Sequence, residues 1–242
     1  MGLKIFVDFD GTITRQDVGD SLFFRFGGEK CRELVNKELG GEVSTVECFR
    51  GEAEAMGRFN VADVDAFIDE QEIDETFRAF VGYCGANGFP LMVLSDGFDY
   101  YIRRILRRHE LPDVPFLSNV LSLVDRKENG TARARVSFPQ HNEECTCCAS
   151  CKRNMMLTTC AESDVICYIG EGSSDRCPVR YADIVFAKDA LQVHCQRENI
   201  SYYPYRSFDD ILRRLRELTA RPHLRHRRRA ELNRRRAFSE EA

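Results

Sequence analysis

The sequence predicts an α/β protein: a Rossmann-like parallel sheet flanked by helices, with a small helical cap inserted after the first strand. Three observations carry that prediction. Four short apolar runs, "LKIFVDF", "FPLMVLSDG", "DVICYIGEGSSD" and "ADIVFAKD", each end in polar residues. Helical patterns separate them, and this alternation is what builds parallel sheets. The block between the first and second runs is too long for a simple crossover, so it reads as a cap over the edge of the sheet.

"LKIFVDF" is too short and too rich in aromatic and β-branched residues for a helix, and reads as a buried strand. From Asp17 to about Asn87 the pattern turns helical, in amphipathic pieces punctuated by glycines: "SLFFRFG", "CRELVNKELGG", "STVECFRGEAEAMG" and "VADVDAFIDEQ". "DETFRAFVGYCGANG" adds a helix with a Gly-rich stop, "FPLMVLSDG" a second strand, and "DYYIRRILRRHEL" a basic amphipathic helix. "LSNVLSLVDRKENGTARARVSF" reads as a hairpin turning at Asn129-Gly130. A cysteine-rich loop, a helix from "KRNMMLTTCAES", two more strands and the helix "FDDILRRLREL" complete the order. The expected domains are a core of residues 1–16 and 88–220, a cap of 17–87, and a basic, flexible tail of 221–242.

With 242 residues, 43% of them hydrophobic, the chain can bury a core and suits one domain with a large insertion. No apolar run approaches the length of a membrane span, and the strand that follows Met1 lacks the basic and apolar regions of a secretory signal. A cytoplasmic protein is expected, its eleven cysteines reduced. The net charge of -4 divides into an acidic body and a tail carrying eight Arg against three Glu. An acidic body offers no general attraction for nucleic acid, and no aromatic platform accompanies the tail, so nucleic acid is not an expected partner. The oligomeric state is not encoded in any recognisable pattern.

The first strand delivers "DFDGT". Asp8 and Asp10 alternate along it, so both side chains can leave one face while Phe9 points the other way. Two carboxylates this close repel, and a divalent cation such as Mg²⁺ would compensate them. Gly11 permits close backbone approach and Thr12 offers a hydroxyl, which suggests a phosphate site. A solvated strand end or a helix cap is the plain alternative for this pentapeptide taken alone.

Four ordered motifs bring in the rest of the chain, and together they resemble the haloacid dehalogenase superfamily of phosphohydrolases. "DFDGT" matches its first motif and "VLSDG" its second; Lys152 in "CKRNMM" matches the third, and "YIGEGSSD" the fourth. The resemblance implies Asp8 as nucleophile and Asp10 as general acid/base. It also implies phosphate binding by Thr12, Ser95, Gly97 and Lys152, and Mg²⁺ held by Asp8, Asp10 and Glu171 with Asp175 in support. The fourth motif commonly begins Gly-Asp; here it is Gly170-Glu171, one methylene longer.

The helical insertion between the first two motifs is similar to the phosphoserine-phosphatase-like group. "CTCCASCK" and "FAKDALQVHCQRENISYYPYRSFDDI" resemble the methionine-salvage phosphatases more closely. Phosphoethanolamine/phosphocholine phosphatases are also similar, through the "SD" of the second motif and Asp175-Arg176-Cys177-Pro178. Asp96 could meet a cationic headgroup or cap the following helix, and Asp17 could sense substrate or cap its own. Cys145, Cys147, Cys148 and Cys151 could bind a structural Zn²⁺, with His141 upstream. The expected partner is a small phosphorylated metabolite. A catalytically idle binding protein that keeps the fold is the reading of another class.

Overall fold

The structure is a computed structural model that describes residues 2–143, 148–221 and 223–240, with side chains up to residue 237. In chain order the strands are β1 (Leu3–Val7), β2 (Phe59–Asn60), β3 (Leu91–Phe98), β4 (Phe116–Val124), β5 (Thr131–Ser137), β6 (Val165–Gly170), β7 (Ile184–Ala187) and β8 (Tyr203–Pro204). They form one sheet of order β2-β5-β4-β3-β1-β6-β7-β8. From β4 to β8 all pairings are parallel, while β5 lies antiparallel on β4 and β2 antiparallel on β5. The central strands are apolar on both faces, as a sheet covered by helices on both sides requires; every residue of β6 is buried. From β1 the chain winds outward through β3 and β4, then returns to β6 and winds the other way. That reversal beside β1 opens a crevice at the carboxyl ends of the strands.

The helices are α1 (Val18–Gly27), α2 (Glu29–Leu39), α3 (Thr45–Ala55), α4 (Val61–Asp69), α5 (Phe77–Ala86), α6 (Asp99–Arg108), α7 (Lys152–Thr158), α8 (Asp189–Arg197), α9 (Phe208–Thr219) and α10 (Arg228–Glu240). The first four, with β2, form the cap. α1 starts at Asp17, whose side chain accepts the Asp20 N–H, and α3 starts with a capping box between Ser44 and Glu47. A bridge between Thr14 and Ile73 closes the neck of the insertion. The cap is tied to α6 by the bidentate pair of Arg104 with Asp69 and by Tyr100 on Asp65. Phe49 of α3 meets Phe98 at 5.1 Å and Phe138 at 6.3 Å between ring centroids.

Two boundaries differ from expectation. α5 packs on the core, with Phe77 and Phe80 at 4.7 and 5.2 Å from Phe208 of α9, so the cap ends near the neck rather than at residue 87. Its apolar stripe faces the sheet side of the molecule, a choice that helical periodicity alone does not make. The Arg-rich segment is docked instead of free. The Asp183 side chain is fully buried, and Arg234, His226 and the Arg227 amide converge on it. Arg227 also donates to the carbonyls of Ala182 and Val179. A buried carboxylate needs such partners, and the basic segment supplies them. Among the described residues no helix is long and apolar enough to cross a membrane.

Candidate active site

Asp8 stands one residue beyond β1, and its N–H continues the ladder to the Ile169 carbonyl at 2.9 Å. The Lys152 ammonium, at the first residue of α7, lies 2.5 Å from Asp8 Oδ1 and 2.7 Å from Asp175 Oδ1. Thr12 Oγ1 donates to Asp8 Oδ2 at 3.3 Å. Asp175 accepts three more hydrogen bonds, from the Tyr168 hydroxyl at 2.6 Å and the Glu171 and Gly172 amides at 2.9 and 3.0 Å. Lys152 and Asp175 are almost completely buried. One cation between two carboxylates leaves net negative charge in a dry place. Burial and the Asp175 carboxylate push the Asp8 carboxyl well above the usual range against the pull of Lys152. Burial works against the Lys152 ammonium, yet Asp175 and Asp8 outweigh it and hold the group above the usual lysine range.

Asp10 is held separately. Its Oδ2 accepts from the Tyr101 hydroxyl at 2.8 Å and Ser95 Oγ at 3.2 Å, and its Oδ1 from the Val18 N–H at 3.1 Å. Burial, then the neighbouring Asp17, push its carboxyl up to about 7. A group that titrates there can both give and take a proton near neutrality. The amides of Gly11 and Gly97, expected to face phosphate, donate here to Thr14 Oγ1 at 3.1 Å and Ser95 Oγ at 2.9 Å. Gly97 has no substitute, because a Cβ there would overlap the Tyr101 hydroxyl and Asp10 Oδ2. A Cβ on Gly11 would lie 3.1 Å from Glu171 Oε1, which places the Glu171 carboxylate against the DFDGT loop. Burial and Asp175 push that carboxyl up to about 7.

Asp17 caps α1 and also lines the cavity. Asp96 does not cap α6. β3 runs on to Phe98, which takes the N-cap position without a side-chain bond. The Asp96 carboxylate instead accepts the Ser150 and Ala149 amides at 2.6 and 3.3 Å, tying the cysteine-rich loop to the end of β3. In that loop Cys148 and Cys151 are buried, and a hydrogen bond from Cys148 pulls the Cys151 thiol down to about 6. Cys145 and Cys147 lie outside the described residues. Among the described residues no three His, Cys, Asp or Glu side chains close around a metal position, so zinc binding at the loop has no geometric support there.

The strand ends open into a cavity of about 240 Å³ that reaches under the cap. Asp8, Asp10, Asp17, Asp20, Glu38, Glu52, Asp96 and Glu171 line it, and among the described residues no Lys or Arg does. Lys152 meets Asp8 from behind, and the remaining hard anionic oxygens are the donor set a divalent cation such as Mg²⁺ takes. The Asp10 carboxylate is already engaged, which leaves its main-chain carbonyl as the group it can offer a metal. No sequence motif marks Tyr101, Tyr168, Asp20, Glu38 or Glu52. Tyr168 lies inside an apolar strand, Tyr101 on a basic amphipathic helix and the acids on cap helices, so only the tertiary fold turns them inward.

The profile of the family described as Putative Phosphatase matches residues 3–201. A 2-hydroxy-3-keto-5-methylthiopentenyl-1-phosphate phosphatase of Bacillus mycoides (strain KBAB4) is 27% identical over 224 residues, 90% of this chain and 98% of that one. Its counterpart in Bacillus cereus (strain ATCC 10987 / NRS 248) is 28% identical over 223 residues, at the same coverages. Among solved structures, a phospho-aspartyl intermediate analogue of phosphoserine phosphatase superposes with a TM-score of 0.66 at 17% identity, covering 88% of this chain and 99% of that one. A substrate-bound phosphoserine phosphatase complex gives 0.63 at 16% identity, covering 88% and 98%. The family match spans most of the chain and the solved structures share its fold: the chain belongs to the Putative Phosphatase family.

Proposed function

We propose that the chain is a Mg²⁺-dependent hydrolase of a small phosphomonoester that works in the cytoplasm through an aspartyl-phosphate on Asp8. The observation that carries this is the pairing at the head of β1. Asp8 is held by Lys152 and Thr12, while Asp10, two residues on, keeps its carboxyl near neutrality.

Asp8 attacks phosphorus in line, forming the aspartyl–phosphorus bond as the ester oxygen–phosphorus bond breaks. Asp10 gives its proton to the departing alkoxide. A water then attacks the same phosphorus, Asp10 takes a proton from it, and phosphate leaves with Asp8 restored. Lys152 offsets the phosphoryl charge, and the Ser95 and Thr12 hydroxyls are placed to hydrogen-bond its oxygens. Asp175 is a positioning residue: it holds Lys152 and fixes the Glu171–Gly172 turn. Asp8, Glu171 and the Asp10 carbonyl would hold Mg²⁺, which would supply positive charge beside the phosphoryl group. The cap keeps bulk water out of the cavity.

The superposing phosphoserine phosphatase, solved as a phospho-aspartyl intermediate analogue, supports this chemistry, and the Bacillus relatives make the methionine-salvage ester the first substrate to try. The test is phosphate release from p-nitrophenyl phosphate. Turnover that needs Mg²⁺, stops with chelator and vanishes in Asp8→Asn is expected. No release from this ester or from a panel of small phosphate esters would favour a non-catalytic binding protein.

A further inference from the structure

Lys152 makes both of its ion pairs from the first residue of α7, and α7 does little to fix that residue itself. The helix runs for only 7 residues, and Cys151 takes the N-cap position without a side-chain hydrogen bond. What holds its start lies in the turn Cys148-Ala149-Ser150-Cys151. The Cys151 N–H donates to the Gln140 carbonyl at 2.8 Å. The Ser150 N–H donates to Asp96 Oδ1 at 2.6 Å and the Ala149 N–H to Asp96 Oδ2 at 3.3 Å, so each carboxylate oxygen takes one amide. Asp96 is braced in turn from β4. The side-chain amide of Asn119, a fully buried residue, donates to the Asp96 carbonyl at 2.6 Å and to Oδ1 at 3.4 Å.

We propose that Asp96 is a positioning residue for Lys152: through its two amide bonds it sets where α7 begins, and so where the ammonium meets Asp8 and the phosphoryl group. This rests on the phosphatase reading, which gives Lys152 its work. The chain of contacts is short. Ser150 stands two residues before Lys152, and Asp96 lies between Ser95 and Gly97 at the end of β3. One carboxylate thereby ties the strand that carries the Ser95 hydroxyl to the helix that carries the ammonium, and holds two phosphate-facing groups at one spacing. A lysine reaches its partners over a flexible stem, so the seat of its backbone decides whether the contacts at 2.5 and 2.7 Å close. A displacement of about 1 Å at such a group can cost about a hundredfold in rate. Asp96 also lines the cavity, so direct contact with the ester is the competing role. Three donors already occupy its two carboxylate oxygens, which favours the internal one.

The test compares Asp96→Ala and Asp96→Asn in the Mg²⁺-loaded full-length protein, using p-nitrophenyl phosphate and phosphoethanolamine, two esters with unlike alcohols. Asp96→Ala should lower kcat/KM by about ten- to a hundredfold, and by the same factor for both esters. The inhibition constant of orthovanadate, whose oxygens take the place of the phosphoryl group, should rise alongside. Asp96→Asn keeps an acceptor for the Ser150 amide while losing the charge, and should restore most of both. A loss confined to one ester would make Asp96 a substrate contact, and a loss that Asn does not repair would make it a charge effect on Lys152; either overturns the proposal. So does lower turnover with an unchanged vanadate constant, which marks only a smaller folded fraction. If Asp96→Ala does not fold, the same comparison is read on Asp96→Ser, whose hydroxyl is too short to reach both amides. Hydrogen exchange without substrate decides the point independently of turnover. When Asp96 is truncated, the peptide from Ala149 into α7 should lose protection by at least about tenfold. The Glu171 and Gly172 amides, which Asp175 holds, should keep theirs. Unchanged protection at the turn overturns the proposal, whereas a loosened turn in a protein whose unaltered form hydrolyses no ester would count against the phosphatase reading alone.

Discussion

Both ends of the cavity are built from carboxylates, and the fold treats them in opposite ways. At the sheet end, Asp8 and Asp175 share Lys152, and Asp175 is saturated by two amides and a tyrosine. At the cap end, Glu52 is equally buried and has no partner among the described residues. The difference separates a preorganised device from an incomplete one. The sheet end is set before substrate arrives, as electrostatic stabilisation of a phosphoryl transition state requires. The cap end carries a buried carboxyl that the described residues leave without a hydrogen bond.

The largest effect that would break this contrast is at Asp8. Asp8→Asn should lower turnover of p-nitrophenyl phosphate by more than about a thousandfold, because a covalent route is lost. Lys152→Met comes next. It leaves two buried carboxylates facing each other, so unfolding titrations should show a loss of about 3–5 kcal/mol, together with much weaker turnover.

At the opposite end the sign reverses. Above about pH 8, where its carboxyl ionises, Glu52→Gln should stabilise the protein, since a buried unpaired charge becomes a neutral amide. The Glu52 carboxyl has a folded value of about 8 against 4.5 in the unfolded chain, so the folded state binds the proton more tightly. Stability should therefore fall as pH rises from about 5 to about 8 and level off above, by a few kcal/mol at most. The fall should flatten in Glu52→Gln, measured as thermal midpoints across that range. An unchanged pH profile would mean that Glu52 has a partner in solution.

Tyr101→Phe sharpens the picture of Asp10. The Tyr101 hydroxyl favours the ionised carboxylate, so its loss should raise the Asp10 carboxyl further. The basic limb of the kcat–pH profile, where protonated Asp10 is exhausted, should move to higher pH, with a loss of about tenfold at most below it. The smallest effect belongs to the cap scaffold: Ser44→Ala removes one half of the α3 capping box, at about 1 kcal/mol.

Much of the sheet end can be read from local pattern. Period-two spacing puts Asp8 and Asp10 on one face, and strand ends deliver Ser95 and Glu171 to the same rim. The hairpin at Asn129-Gly130 follows from turn chemistry, with Gly130 at φ 78°. What escapes is tertiary. Asp96 looks like a helix cap until β3 is seen to continue through it, which frees its carboxylate for the loop before Lys152. Glu52 sits in a helical run rich in glutamates, and nothing in that run says which of them turns inward. The two-residue strands β2 and β8 are too short to leave a periodicity. The charge density of the last segment suggests solvent, because the buried Asp183 that attracts Arg234 is far away in sequence.

The most direct test of the central claim is mass spectrometry of the protein quenched in acid during turnover of a small phosphate ester. The account predicts a single phosphoryl group on the peptide that carries Asp8, absent in Asp8→Asn and lost as substrate is exhausted. A phosphoryl group on any other residue, or full turnover by the Asp8→Asn protein, would contradict it.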